Sequence, residues 1–328
     1  MTLKDYIKKE KKENLYNFYC KLILNPKKYD SITRNDIYND IISLYKKKQE
    51  IILDLCTTEE INVLKKILND GYKTNDNSYI GYIINKNLQS NYLIIKHDDK
   101  YIIPKDILNY VKMALNIYNE KEFNFIDIFN SLVIGVLRIY NVLSIEDFNL
   151  ILKKYNINIY DTKKDILDNT RFKDKLTIVK YKKKEYIVSL ENYYYKDVLK
   201  LKKDDLEYKI YSLEEVISIG KYNINLFNLE IFEFLSFLEL HLDSKSIELL
   251  LKDIITYSGF DINNETVLLK IADNIKELYN ELLKVTDNFP VWIYKGNSVL
   301  SLKDEIAIDK KQNNIFVNIK NYIRDIFN

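Results

Sequence analysis

The chain has 328 residues, 47% hydrophobic and 30% charged, with a formal net charge of +2, which is long enough for two or three domains and too apolar for a disordered protein. Six Gly and three Pro exclude a turn-rich β architecture and Gly-rich phosphate cradles, and they bias the chain toward helix. Two cysteines, Cys20 and Cys56, exclude a disulfide framework and a cysteine-only zinc site; both read as small buried hydrophobes in a reducing compartment.

Lys, Asn, Ile, Tyr and Asp are abundant, while arginine occurs only at positions 34, 138, 171 and 324. An AT-rich genome produces this skew, so a lysine or a tyrosine carries information only through its position. Charge is uneven: residues 1–200 hold 35 Lys+Arg against 27 Asp+Glu (net +8), and residues 201–328 hold 15 against 21 (net −6). Met1 to Asn14 is too charged for a signal peptide. The most apolar stretch, Leu132 to Ile139, contains Arg138 and is too short to span a bilayer. No membrane association is expected, and the predicted location is cytoplasmic.

Residues 1–47 read as an N-terminal helical segment. Periodicity over Leu15–Leu24 stops at Asn25-Pro26, and a second helix runs from Thr33 to Leu44. Residues 48–110 read as a first winged-helix-like domain. Ile51, Ile52 and Leu55 give one apolar face, and Ile61, Leu64 and Leu68 a second at helical spacing. Gly71 is placed to end that helix. Ser78–Gln89 forms the third, with Asn85, Lys86, Asn87 and Gln89 facing out. Leu93 to Ile103 is an apolar run, a polar tip and a second apolar run, which reads as a β-hairpin closed by Pro104.

The same order recurs in residues 111–197, a second winged-helix-like domain. An apolar helix covers Ile126–Ile139, Ser144 starts the next with Phe148, Ile151 and Leu152 inward, and a third lies near Thr162–Asn169. Leu176–Val188 then repeats the hairpin, with Lys182-Lys183-Lys184 at its tip. Residues 198–328 read as a C-terminal helical domain, with a short extended segment near 208–212, helices through Phe232–Leu242 and Leu249–Ile254, Gly259 as a cap, and a further helix over Val267–Leu283. The pattern Ser/Thr-x-x-Asp/Glu at Thr33, Thr57, Ser144, Ser212 and Ser301 marks five helix starts, because the hydroxyl accepts an orphan N–H and the acid complements the positive helix end. The predicted class is α+β, mainly α: tandem winged-helix-like domains followed by a C-terminal helical domain.

Leu278-Tyr279-Asn280 leading to Trp292, Lys295 and Gly296 resembles an element of uncharacterised SEC-C-associated winged-helix/helical proteins of low-GC Gram-positive bacteria. In those proteins a helix ending Leu-Tyr-Asn precedes a Trp, then Lys-Gly and a short final helix. Ser212-Leu213-Glu214-Glu215 before a helix ending near Gly220 is similar as well. The resemblance covers about the C-terminal two thirds by order of elements, and it implies the architecture and no activity. The SEC-C cysteines are absent here, so a zinc role is not carried over.

Catalytic motifs do not compete. His97 and His241 are the only histidines, no Cys/His cluster has ligand spacing, and neither a Gly-x-x-x-x-Gly-Lys loop nor a Gly-x-Gly-x-x-Gly turn is present. No catalytic residue, metal ligand or cofactor is therefore expected. The expected function is non-enzymatic binding linked to nucleic-acid regulation, with the alternative of a protein-interaction adaptor that makes no DNA contact, and a metal-dependent nuclease as a third class. Lys182, Lys183, Lys184, Lys163, Lys164, Arg171 and Lys86 are the expected phosphate contacts, because a winged helix reads bases with its third helix and meets phosphate with its wing. Asp165, Asp168 and Asp174 interleave with them and oppose that role. Candidate partners are duplex DNA, a protein partner or a second copy of the chain.

Overall fold

The computed structural model describes residues 1–23, 25–70, 78–98, 100–158, 161–190, 194–259, 281–282 and 285–302. Gly71, Asp304 and the helix expected over Val267–Leu283, apart from residues 281–282, lie outside them. The described residues are mainly helical with two small sheets. They divide into two units, one of Met1–Asn130 and Lys163–Thr177, the other of Ser131–Thr162 and Ile178 onward.

In the first unit, α1 (Leu3–Ile7), α2 (Lys12–Leu22) and α3 (Arg34–Lys47) precede α4 (Glu50–Asp54), α5 (Thr58–Asp70) and α6 (Tyr79–Ser90). Strands β1 (Ile95–His97) and β2 (Lys100–Ile102) follow, then α7 (Leu108–Ile117). The N-terminal helices do not stand apart. Leu15, Phe18, Ile37 and Tyr45 share one core with Ile52, Leu64, Leu88 and Val111. A pair of helices this short cannot exclude water from both faces alone. Asp106 fixes the join: its carboxylate accepts from the N–H groups of Leu3 and Lys4 at 2.7 and 3.1 Å and from the Tyr38 hydroxyl at 2.9 Å. Two orphan donors of α1 are thereby satisfied. Burial first, and then this carboxylate, push the Tyr38 hydroxyl up to about 12.

The first hairpin is an antiparallel pair in the register Ile95↔Ile102, Lys96↔Tyr101 and His97↔Lys100. It is a short ribbon, with only three residues per strand.

Helix α8 (Glu120–Tyr140) starts in the first unit and ends in the second. It is long and apolar enough by composition to cross a membrane, which the stretch Leu132–Ile139 alone did not show, yet 67% of its most apolar window is buried. Burial of that share is the mark of a core helix.

The second unit continues with β3 (Val142–Ser144) and α9 (Ile145–Lys154). After α10 (Thr162–Asp168) come β4 (Leu176–Tyr181) and β5 (Lys184–Ser189). The sheet order is β3-β5-β4, with β3 antiparallel to β5 in the register Val142↔Val188, Leu143↔Ile187 and Ser144↔Tyr186. The chain turns from α8 into β3 at Asn141, whose φ is +62°. Asn tolerates this left-handed conformation better than most residues, which accounts for its presence although its carboxamide is buried without a hydrogen bond among the described residues.

Helices α11 (Tyr195–Leu201), α12 (Leu213–Tyr222), α13 (Leu229–His241) and α14 (Ser244–Gly259) complete the described helices. Helices α8 and α12 approach through glycine. A Cβ on Gly220 would lie 1.8 Å from the Ser131 carbonyl oxygen, and one on Gly135 2.0 Å from that of Val216. Segment 203–211 forms no strand, but it is laid along the last turns: Lys203 N–H donates to the Ile293 carbonyl at 2.9 Å and Lys209 N–H to that of Lys295 at 3.2 Å. Trp292 is buried against Gly259 and donates its indole N–H to the Arg138 carbonyl at 3.1 Å. Lys295 Nζ donates to the carbonyls of Leu206 and Asp204 at 2.6 and 3.0 Å. Gly296 has φ +80° and lies against Tyr140. In this fold Trp292, Lys295 and Gly296 therefore hold the end of the described chain against α8 and the 203–211 segment.

Four of the five expected helix starts have their cap. Thr33 and Ser212 form capping boxes with Asp36 and Glu215, Thr57 exchanges bonds with Glu60 at 2.8 and 3.2 Å, and Ser144 accepts from the Asp147 N–H at 3.0 Å. Ser301 lies in a 3₁₀ turn, Leu300–Leu302, and the helix expected to follow it falls outside the described residues.

Candidate nucleic-acid interface

The tip of the second hairpin is two residues long. Lys182 and Lys183 connect β4 to β5 with φ values of +44° and +70°. Positive φ at both central residues marks a type I′ turn, whose twist matches that of the flanking strands and whose usual residues are Asn and Gly. Lysines are held here against their backbone preference. Lys182, Lys183 and Lys184 are all exposed. Lys182 Nζ stands 5.5 Å over the neighbouring Tyr181 ring, and among the described residues none of the three is in an ion pair. Three adjacent ammonium groups on a rigid turn present donors suited to phosphate oxygens.

Lys163 and Lys164 are exposed on the first turn of α10, on a segment that belongs with the first unit. Asp165 and Asp168 are exposed on the same helix. Lys86, on α6, is half-buried. The outward face expected for α6 is corrected at Asn85, which is 1% exposed; that position packs into the core, and the polar face of α6 is narrower than expected.

Arg171 is also corrected. It is 9% exposed and cannot reach a phosphate, because it is turned inward onto Asp127, which is 1% exposed. Arg171 Nη2 donates to Asp127 Oδ1 at 2.9 Å. The other oxygen, Asp127 Oδ2, accepts from the Thr58 N–H and hydroxyl at 3.2 and 3.1 Å. The Arg171 N–H donates to Asn169 Oδ1, and Asn169 Nδ2 donates to Asn130 Oδ1, each at 2.9 Å. The pair thus ties segment 163–177 to α8 and to the start of α5. Beside it, Glu60 is 2% exposed. Burial raises its carboxyl above the usual range, against the opposing pull of the Thr57 N–H and the Arg171 guanidinium. Burial also lifts the Cys56 thiol well above its usual value, so it is not a poised nucleophile.

Sequence reasoning missed this cluster. The signal that could have found it is the scarcity of arginine. Where lysine is the default cation, a retained guanidinium marks a position that needs a planar multidentate donor. Arg138 fits the same rule, donating through Nη1 to the carbonyls of Ile219 and Gly220 at 2.9 Å each, and Arg34 donates to the Glu10 carbonyl at 3.2 Å.

Among the described residues no group of three or more His, Cys, Asp or Glu side chains is placed to hold a metal ion. His97 is an exposed partner of Asp98 at the first hairpin tip, 3.2 Å away. No family model, no curated protein and no solved structure matches the chain.

Proposed function

We propose that the chain is a cytosolic, non-enzymatic regulator that binds duplex DNA, with residues 111–197 acting as a winged helix whose wing tip meets phosphate. The observation that supports this most is the order β3-β5-β4. A short strand between the first and second helices pairs with β5, the second strand of the terminal hairpin, in the sequence helix–strand–helix–helix–hairpin, an arrangement that fits a wing fixed to its helices. Three lysines at the tip, outside any ion pair among the described residues, supply the phosphate-facing charge.

The first-unit hairpin has an acidic tip residue, Asp98, in place of lysines. It is not assigned a phosphate contact, and the DNA-facing role rests on the second hairpin. The test is equilibrium binding of the full chain to labelled random duplex DNA at low salt, with the Lys182→Ala/Lys183→Ala/Lys184→Ala variant beside it. Saturable binding that the variant weakens supports the proposal. Absence of binding at low salt removes it.

A further inference from the structure

Among the described residues, helix α13 is apolar on two faces and covered on one. Ile231, Phe234, Leu235 and Leu238 are buried. Leu229, Phe232, Ser236 and Leu240 recur at spacings of three and four, which puts them on one stripe about 16 Å long. Its three apolar members are exposed, Leu240 at 82%, as is Phe227 just ahead of the helix. An apolar stripe on a helix already buried on its other side marks a surface that takes a partner. The helix carries three glutamates, Glu230, Glu233 and Glu239, and no Lys or Arg. Glu230 and Glu233 are exposed beside the stripe.

The last described residue lies near the start of α13. Leu302 is buried in one cluster with Trp292, and its turn lies against the turn Thr286–Asn288. Asn288 Oδ1 accepts at 3.4 Å from Nδ2 of Asn228, the N-cap of α13. Residues 303–309 can span up to about 25 Å, and residues 310–328 follow, outside the described ones. The sequence there places Ile315, Ile319, Ile323 and Ile326 at spacings of four, four and three, a helical period. Ile315 to Ile326 is the same span in residues as Leu229 to Leu240. Residues 310–328 hold four Lys and Arg against one Asp, a net charge of +3.

We propose that residues 310–328 dock along the α13 stripe of their own chain, apolar stripe on apolar stripe, with their excess positive charge meeting the α13 glutamates. The other occupants fit worse. Residues 260–280, also outside the described ones, hold four acids against two lysines, so the glutamates oppose them. A second copy presenting the same stripe sets three glutamates against three, and like charges brought together across an interface are unfavourable. A tethered segment also needs little intrinsic affinity, because its effective concentration at a site within reach is on the order of millimolar.

The test is the alkylation rate of a cysteine placed on the stripe of the full chain by Leu240→Cys, read by peptide mass spectrometry so that Cys20 and Cys56 do not interfere. Phe232→Cys repeats the measurement two turns away and serves if the first variant does not fold. Adding Lys320→Glu/Arg324→Glu uncovers the thiol and raises its rate by about tenfold. Adding Glu230→Lys/Glu233→Lys to that variant restores the opposite charges and returns the rate to its slow value. A rate unchanged by Lys320→Glu/Arg324→Glu overturns the proposal, as does an increase that Glu230→Lys/Glu233→Lys fails to reverse. Protection that grows with protein concentration assigns the stripe to a second copy and overturns it as well.

Discussion

Asp127 and Arg171 are the residues on which the first unit's polar interior depends. A buried pair adds little net stability over an apolar replacement, but removing one partner leaves an uncompensated charge away from water. Asp127→Ala is therefore expected to lower stability by about 3–5 kcal/mol, and Asp127→Leu with Arg171→Met to recover most of that loss. Urea unfolding of both variants checks this, and a single-site loss below about 1 kcal/mol, the value of a surface pair, contradicts it. Glu60 makes a separate pH prediction. Its carboxyl titrates higher in the folded chain than its ordinary 4.5, so the folded state binds the extra proton. Its stabilising contribution is then complete below the unfolded value and lost as pH rises through the folded one. A glutamine in its place has no such proton to lose and keeps an oxygen for the Thr57 N–H. Thermal melts from about pH 4 to about pH 8 should show Glu60→Gln gaining on the parent as pH rises. A constant difference across that range contradicts the assignment.

The second hairpin is the element on which the proposed function and local strain meet. Lys182 and Lys183 occupy a turn that Asn-Gly fills without strain. Lys182→Asn with Lys183→Gly is expected to stabilise the protein by about 1–2 kcal/mol while weakening DNA binding. Denaturant unfolding and a binding isotherm on the same variant read the two effects, and destabilisation would rule out the turn assignment. Most elements were legible because their signals are local. Thr33, Thr57, Ser144 and Ser212 satisfy orphan N–H groups within three residues of themselves, so their caps are written in the sequence. Both hairpins were legible from their alternation around a polar tip. Strand β3 was not, because Val142 and Leu143 continue an apolar run and its pairing with Val188 and Ile187 is non-local. The burial of Arg171 and Asn85 was hidden for the same reason: a polar residue is buried when a partner distant in sequence meets it, and Asp127 lies 44 residues from Arg171.

At the scale of the whole molecule, the mild positive excess of residues 1–200 and the negative excess of residues 201–328 remain properties of the chain rather than of its folded units. Segment 163–177 groups with the first unit, so each of the two units is discontinuous in sequence. Connectivity of that kind leaves no periodicity to read. The central claim is that the wing tip of residues 182–184 meets duplex phosphate. It is tested most directly by the slope of log affinity against log salt for the parent and for the triple-alanine variant. Each lost phosphate contact flattens the slope by about 0.9, so the proposal predicts a slope shallower by about 2 to 3 in the variant. Equal slopes in the two proteins would contradict it.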